Sequence, residues 1–521
     1  MRLLNRIIRG SVFRVGSLLL QIALTFIMMP YIVNSLGIRM YGFWALACAF
    51  VGYFGLMDIG LASAVVRYVS RALGANDKQD VNRVASTAFF TFSGLGMAAL
   101  LATLILAFLS NWFFKSPDES KIFGQVILIT GAGFALSFPM RVFAGLLNAR
   151  MRQDLQSLTS MLRLLVANAL IYLSLSNGYG IMALALSYLA ADIFMHTLTA
   201  FMAYRIYPGL QIRPSLMSTA SLKTLFSYGG ISFWAKLAGI FQFRTPPILI
   251  AIYLNANYVT LFHVGARLLQ IYSALVDSVA SMGGPMYSWQ EARGDKQALQ
   301  NSFLHFIRIS SLFAVFIGAS IVFFGKDFVT VWMGKGYVTS YYIILILGAP
   351  TIIAATQGPA VNLLFSISRH RFMAVINTVE TVIGLLLSMI LLPYYGIYGV
   401  AAALGVSTLL CKSVILAYYT CKCIEVPGKD YVRAFAMPNL KLLAAMGFYF
   451  YLISDYLKPT YASIMGLAGV QMLLFIPVIY FFVLEKEDRI ALAGVLKARK
   501  MGDDPLSAAH PADIDKDASC Q

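Results

Sequence analysis

Thirteen ionisable side chains sit inside stretches that are otherwise apolar: Arg14, Asp58, Arg141, Arg163, Asp192, His196, Lys236, Arg244, Arg267, Asp277, Arg308, Glu380 and Lys412. A charge in hydrocarbon costs several kcal/mol unless it faces a partner or a water-filled cavity, so these residues are the candidates for function. Eight are cations and four are acids. That excess suits a cavity that holds an anion, with the acids available to take up protons or cations.

Spacing sharpens the set. Lys236 and Arg244 are eight residues apart, so with Ile240 they line one stripe of a helix. Pro246 and Pro247 follow at once and are expected to break that helix, freeing carbonyls beside the cationic ladder. Asp192 and His196 stand four apart and can touch, as a proton relay or as a satisfied pair. Arg14, Arg141 and Arg308 lie nearer span ends, where snorkelling to head groups competes with a cavity role. For Asp58 and Asp277 the competing reading is a packing contact between helices.

The elements that must position these groups follow from composition. Of the 521 residues, 59% are hydrophobic and 12% charged, with a mean hydropathy of +0.74. That leaves too little polar surface for a soluble globule. Apolar stretches of about 20 residues, enough to cross a ~30 Å core, number about 14. They begin near Ser11, Gly42, Val84, Ile122, Gln156, Ile181, Thr224, Tyr258, Phe303, Tyr341, Phe372, Ile397, Ala436 and Tyr461. Lipid satisfies no free peptide group, and period-2 alternation is lacking. The expected fold class is therefore an all-α polytopic membrane protein.

Most of the 40 basic residues fall in the tails and even-numbered loops, which places both termini in the cytoplasm. The net charge of +17 is explained by that retention and by anionic lipid, and gives no argument for nucleic acid. The first span is too long for a signal-peptide core and reads as a retained helix. Five cysteines, including the Cys421 and Cys423 pair, lack the partners of a metal site.

The chain repeats itself. Tyr41 to Arg83 is answered by Tyr258 to Asn301: Tyr258 stands 217 residues after Tyr41, and Asp277 stands 219 after Asp58. We therefore expect a six-helix bundle over 1–210, a second over 211–424, a helix pair over 425–485 and a disordered tail over 486–521. External loops are short, which disfavours a membrane glycosyltransferase or polymerase. No glycine-rich phosphate loop is present, so no nucleotide site and no cofactor are expected.

The segment PYIVNSLGIRMYGFWAL, running into FVGYFGLMDIGLASAVVRYVSRALGANDKQDVNR, resembles the polysaccharide-export flippases of the multidrug/oligosaccharidyl-lipid/polysaccharide (MOP) exporter superfamily. The likeness rests on Leu36-Gly37, Tyr41-Gly42 with Trp44, Asp58-Ile59-Gly60-Leu61 and Arg67, and it extends over nearly the whole chain. It implies two six-helix bundles around a cavity open alternately to each side of a bacterial inner membrane. The implied cargo is an undecaprenyl-pyrophosphate-linked oligosaccharide, with a polysaccharide polymerase as a candidate partner. On that reading the pyrophosphate pairs with Lys236, Arg244 and Arg267, helped by Arg14 or Arg141, and Asp58, Asp277, Asp192 and Glu380 couple an ion gradient. A multidrug antiporter, which would want an acidic cavity, and a lipid II flippase are the rivals within the superfamily.

Overall fold

The computed structural model describes residues 2–479 except 59 and 115; the side chains of 2–12, 112, 113, 227–236 and 478 are outside what it describes. The expected tail over 486–521 lies outside the described residues. Among those described, all regular structure is helical. The helices are α1 (Arg2–Leu36), α2 (Ile38–Tyr53), α3 (Leu61–Gly74), α4 (Lys78–Phe108), α5 (Pro117–Ala149), α6 (Gln153–Ser176), α7 (Ile181–Ile206) and α8 (Thr219–Tyr253). They continue with α9 (Ala256–Ala280), α10 (Gly284–Ala292), α11 (Lys296–Met333), α12 (Val338–Ala355), α13 (Gly358–Ser366), α14 (His370–Thr408), α15 (Ala417–Ile424), α16 (Gly428–Ile453) and α17 (Tyr461–Val478).

Among the described residues, eleven segments are long and apolar enough to cross a bilayer, and Leu237–Tyr253 and Tyr461–Pro477 are shorter apolar helices. One of the eleven, His370–Ile424, folds back on itself. Gly396 adopts φ 57° and ψ −141°, outside helical space. Across that corner Glu380 accepts a hydrogen bond from Thr408 (2.7 Å), and Gly384 lies against Ser407 and Leu404. The segments 370–395 and 397–412 are therefore antiparallel neighbours, and the chain passes through a π-helical stretch at Leu409–Leu416.

The chain divides into two compact units. One comprises Met1–Ile271, Trp332–Thr351 and Arg369–Lys412. Within it α5 is the hub, packed against α3, α4 and α7, while α1 lies against α6 and α8 against α14. Its core interleaves aromatics, with Phe92, Phe123 and Phe138 all fully buried. The other unit comprises Tyr272–Val331, Ile352–Ser368 and Ser413–Gln521. There α11 packs on α16 and α17 through Leu312, Leu442, Met446 and Phe475. Asn439 donates to Ser311 (2.8 Å) and Gln471 to Ser320 (2.7 Å), polar bonds of the kind that bind helices where lipid supplies no hydrophobic drive.

The repeat is written into the backbone. After α3, Asn76 takes φ 56°; after α10, Gly294 takes φ 69°, 218 residues later. The bonds match position for position. Ala75, Asn76 and Asp77 donate to Arg71, Leu73 and Ala72, and Arg293, Gly294 and Asp295 donate to Trp289, Glu291 and Gln290. Each left-handed residue closes its helix, and the following aspartate caps the next one. Asp77 accepts from the Asp80 N–H at 2.8 Å and Asp295 from the Ala298 N–H at 2.9 Å. Met151 and Ser368 (217 apart) and Gly178 and Gly396 (218 apart) repeat the pattern at positive φ.

Candidate functional site

Three helices of the first unit each turn a stripe toward one open cavity of ≈560 Å³. α2 presents Ala45, Cys48 and Ala49; α8 presents Ile240, Phe243, Arg244 and Pro247; α9 presents His263, Arg267 and Gln270. The steps of three and four residues are one helical face in each case. Two of the expected anion-binding residues thus meet here. Arg244 donates to the Cys48 carbonyl (3.3 Å). Arg267 donates to Gln270 (3.3 Å) and Thr25 (3.4 Å). All these partners are neutral, and among the described residues no carboxylate lines the cavity. Two guanidiniums with no carboxylate partner among the described residues make a strong attraction for an anion with several oxygens.

Local sequence explains how Arg244 reaches this position. Gly52 on α2 faces it, and a Cβ there would run into the Arg244 side chain. The missing side chain lets the guanidinium stem lie on the α2 backbone. Pro246 and Pro247 do not break α8, contrary to the expectation from sequence; the helix runs unbroken from Thr219 to Tyr253. Proline still supplies no N–H, so the carbonyls of Gln242 and Phe243 lose their helical donors next to the cavity. Packing against α14 and α2 holds the helix through the defect.

The remaining candidates are distributed as follows. Lys236 is on α8 at the stripe position expected, and its side chain lies outside the described residues. Arg14 is exposed on α1, outside the lining of this cavity. Arg141 pairs with Asp58 (3.5 Å) and lies over the Phe138 ring (4.4 Å). Asp192 is in an ion pair with Arg163 on the neighbouring helix. Glu380, fully buried, faces Lys412 at 3.3 Å. Asp277 is exposed on α9, in the second unit. His263, Gln270, Cys48 and Gly52 were not singled out by sequence; the i, i+4, i+7 relation of His263, Arg267 and Gln270 was the available signal.

At the N-terminal ends of α2 and α9 the two helices meet in a close seam. Thr260 donates to the Ile38 carbonyl (2.6 Å), the Tyr41 hydroxyl meets His263 Nδ1 (3.2 Å), and Gly42 abuts the Ala256 carbonyl. A side chain at Gly42 has no room. Gly42→Val is expected to cost about 1–3 kcal/mol of unfolding free energy in mixed micelles, as overpacking does. Gly16→Val, where a side chain meets nothing within 4 Å, should cost far less; equal losses would dismiss the seam.

This architecture, an all-helical multi-pass protein with a charged cavity inside its spans, is that of a polytopic transporter. A family model described as polysaccharide biosynthesis protein matches residues 36–342, more than half of the chain, and the chain belongs to that family. The uncharacterized membrane protein EpsK of Bacillus subtilis is 22% identical over 418 residues, covering 77% of this chain and 80% of EpsK. A putative O-antigen transporter of Shigella flexneri is 21% identical over 433 residues, covering 80% and 98%. Among solved structures, the lipid II flippase MurJ in an inward closed conformation superposes with a TM-score of 0.67 at 13% identity, over 91% of this chain and 99% of that one. An inward-facing multidrug resistance MATE family transporter of the MOP superfamily gives 0.65 at 15%, over 80% and 94%. The fold is that of the MOP superfamily.

Proposed function

We propose that this protein is a flippase that carries undecaprenyl-pyrophosphate-linked oligosaccharides from the inner to the outer leaflet of a bacterial inner membrane. The observation that carries the reading is the cavity in which Arg244 and Arg267 have no carboxylate partner among the described residues. A pyrophosphate brings about two negative charges that cannot enter hydrocarbon unpaired, and guanidiniums match its oxygens. The polysaccharide family, the relative named for O-antigen transport and the fold shared with a lipid II flippase all support this cargo. A multidrug antiporter expelling organic cations fits less well, because the two cavity arginines repel such a cargo. The relatives that carry a named role are a putative O-antigen transporter and the lipid II flippase MurJ, which supports transport over an enzymatic role.

Counting both arms of the hairpin at Gly396 and the two shorter apolar helices gives fourteen crossings, the number we propose. The halves are taken as 1–210 and 211–424 with a helix pair over 425–485. Both termini lie in the cytoplasm, where the basic loops gather. Lys236, Arg14 and Arg141 are further cations for the cargo as it moves. Asp58 leads the coupling groups, since protonating it would release Arg141, its partner at 3.5 Å. Asp277 is its counterpart in the repeat, and Asp192 and Glu380 are the remaining span acids.

Flipping of a labelled lipid-linked oligosaccharide in proteoliposomes tests this. Arg244→Ala should lower the rate at least about tenfold, the loss of a charge-assisted hydrogen bond worth ~1.5–3 kcal/mol. Asp58→Asn should keep basal flipping and lose the response to an imposed pH gradient. Normal flipping by Arg244→Ala at normal yield would refute the assignment.

A further inference from the structure

Beside the arginine cavity, the first unit carries a second set of side chains with a different chemistry. On α7, Tyr188, Asp192 and His196 stand four residues apart and so form one stripe. The exposed large residues of that helix, Leu186, Ile193, Phe194, Phe201 and Tyr204, occupy the opposite face. The polar stripe therefore looks into the bundle. Asp192 is held by Arg163 of α6, and the pair keeps 26% and 29% of its side-chain surface accessible. Trp44 of α2 lies flat on Tyr188, with centroids 5.1 Å apart and planes 14° apart.

These groups are left open in an informative way. Trp44 Nε1, the Tyr188 hydroxyl and the His196 ring have no protein hydrogen-bond partner among the described residues, and none of them is a sealed polar atom. Indole N–H and phenol O–H groups inside a protein ordinarily find a partner. Trp44, Tyr188 and His196 are each partly exposed instead. The wall adjoins the arginine cavity along α2, where Trp44 stands one turn from the cavity-lining Cys48.

We propose that Trp44, Tyr188, Arg163, Asp192 and His196 form a saccharide-binding wall next to the Arg244 and Arg267 cavity. A pyranose offers an apolar C–H face to an aromatic ring and a rim of hydroxyls to donors and acceptors. The outer face of the Trp44–Tyr188 stack supplies the first contact, and the guanidinium, carboxylate, imidazole, indole N–H and phenol supply the second. A few convergent polar groups on an aromatic floor are how a cavity orients a neutral ligand. The sugar joined to the pyrophosphate is read here, while the arginines hold the charge common to every such lipid. This rests on the flippase reading, and takes Asp192 from ion coupling into recognition through its Arg163 pair.

The test uses the full chain in nanodiscs and two probes, undecaprenyl pyrophosphate and the same lipid bearing a neutral tetrasaccharide, with binding read by calorimetry. Wild type should bind the glycosylated lipid more tightly than the bare one. Trp44→Ala should weaken the glycosylated lipid about tenfold and leave the bare lipid unchanged; Trp44→Phe should restore most of the loss. Asp192→Asn should likewise act on the glycosylated probe alone. Equal weakening of both probes by Trp44→Ala would make the stack a packing element and overturn the wall, as would equal binding of both probes by wild type. Failure of wild type to bind either probe would instead overturn the flippase reading and this inference with it.

Discussion

Gly52→Ala is expected to stop transport as thoroughly as Arg244→Ala while leaving the protein as stable as wild type, or more so. Gly52 sits in the last turn of α2 and is not among the residues at positive φ, so its backbone needs no glycine. Alanine in a helix is favoured over glycine by about 0.5–1 kcal/mol. The added methyl would nevertheless occupy the space of the Arg244 side chain, its nearest neighbour there. A flexible arginine yields more easily than two packed helices, so the guanidinium would swing out of the cavity and give up the Cys48 carbonyl, 3.3 Å away. A displacement of that size is enough to lose oriented binding. Unfolding in mixed micelles should thus show no loss of stability, while flipping falls about tenfold or more. Full transport by Gly52→Ala would mean that Arg244 acts from another rotamer.

The helices were readable in the sequence because the bilayer imposes length and composition on each crossing and permits few alternatives. All of the expected span positions fall on helices, including the corner just before Ile397. The repeat was also legible, since Asp77 and Asp295 cap equivalent turns. Partnerships between helices were not. Spacing along one helix brings Asp192 next to His196, but the ion partner of Asp192 is Arg163, 29 residues earlier. Asp58 and Arg141 lie 83 positions apart, and only the packing of α5 against α2 and α3 brings them together. Residue type flagged each charge, whereas neutral residues such as Gly52 and Gln270 gave no sign, because their part depends on what faces them. The Pro246–Pro247 pair was misread for a related reason: in lipid a broken helix costs more than a helix with two missing donors, provided neighbours hold it.

Lys412→Met is the second substitution with a large expected effect, and it acts through Glu380. That carboxylate has no accessible surface. One oxygen accepts from Gln242 (2.8 Å) and from Thr408 (2.7 Å), and the other faces the Lys412 ammonium at 3.3 Å. Four chain positions are tied at one point: α8, both arms of the hairpin and the π-helical stretch. Removing the cation leaves a buried charge with neutral donors only, which costs ~3–5 kcal/mol for a fully buried pair and less here, about 2–4, because Lys412 is 30% accessible. Glu380→Gln in the same background removes the orphaned charge and should recover most of the loss, giving a coupling energy of about 1–3 kcal/mol in a double-mutant cycle. Additive losses would show that the two side chains stabilise the bundle separately. The consequence reaches the cavity, since Gln242 lies two residues from Arg244 on α8. A helix with two prolines and two undonated carbonyls depends on its neighbours for its line, and Glu380 is one of the anchors. Lys412→Met should therefore also lower flipping, and the Glu380→Gln second change should bring basal flipping back together with stability.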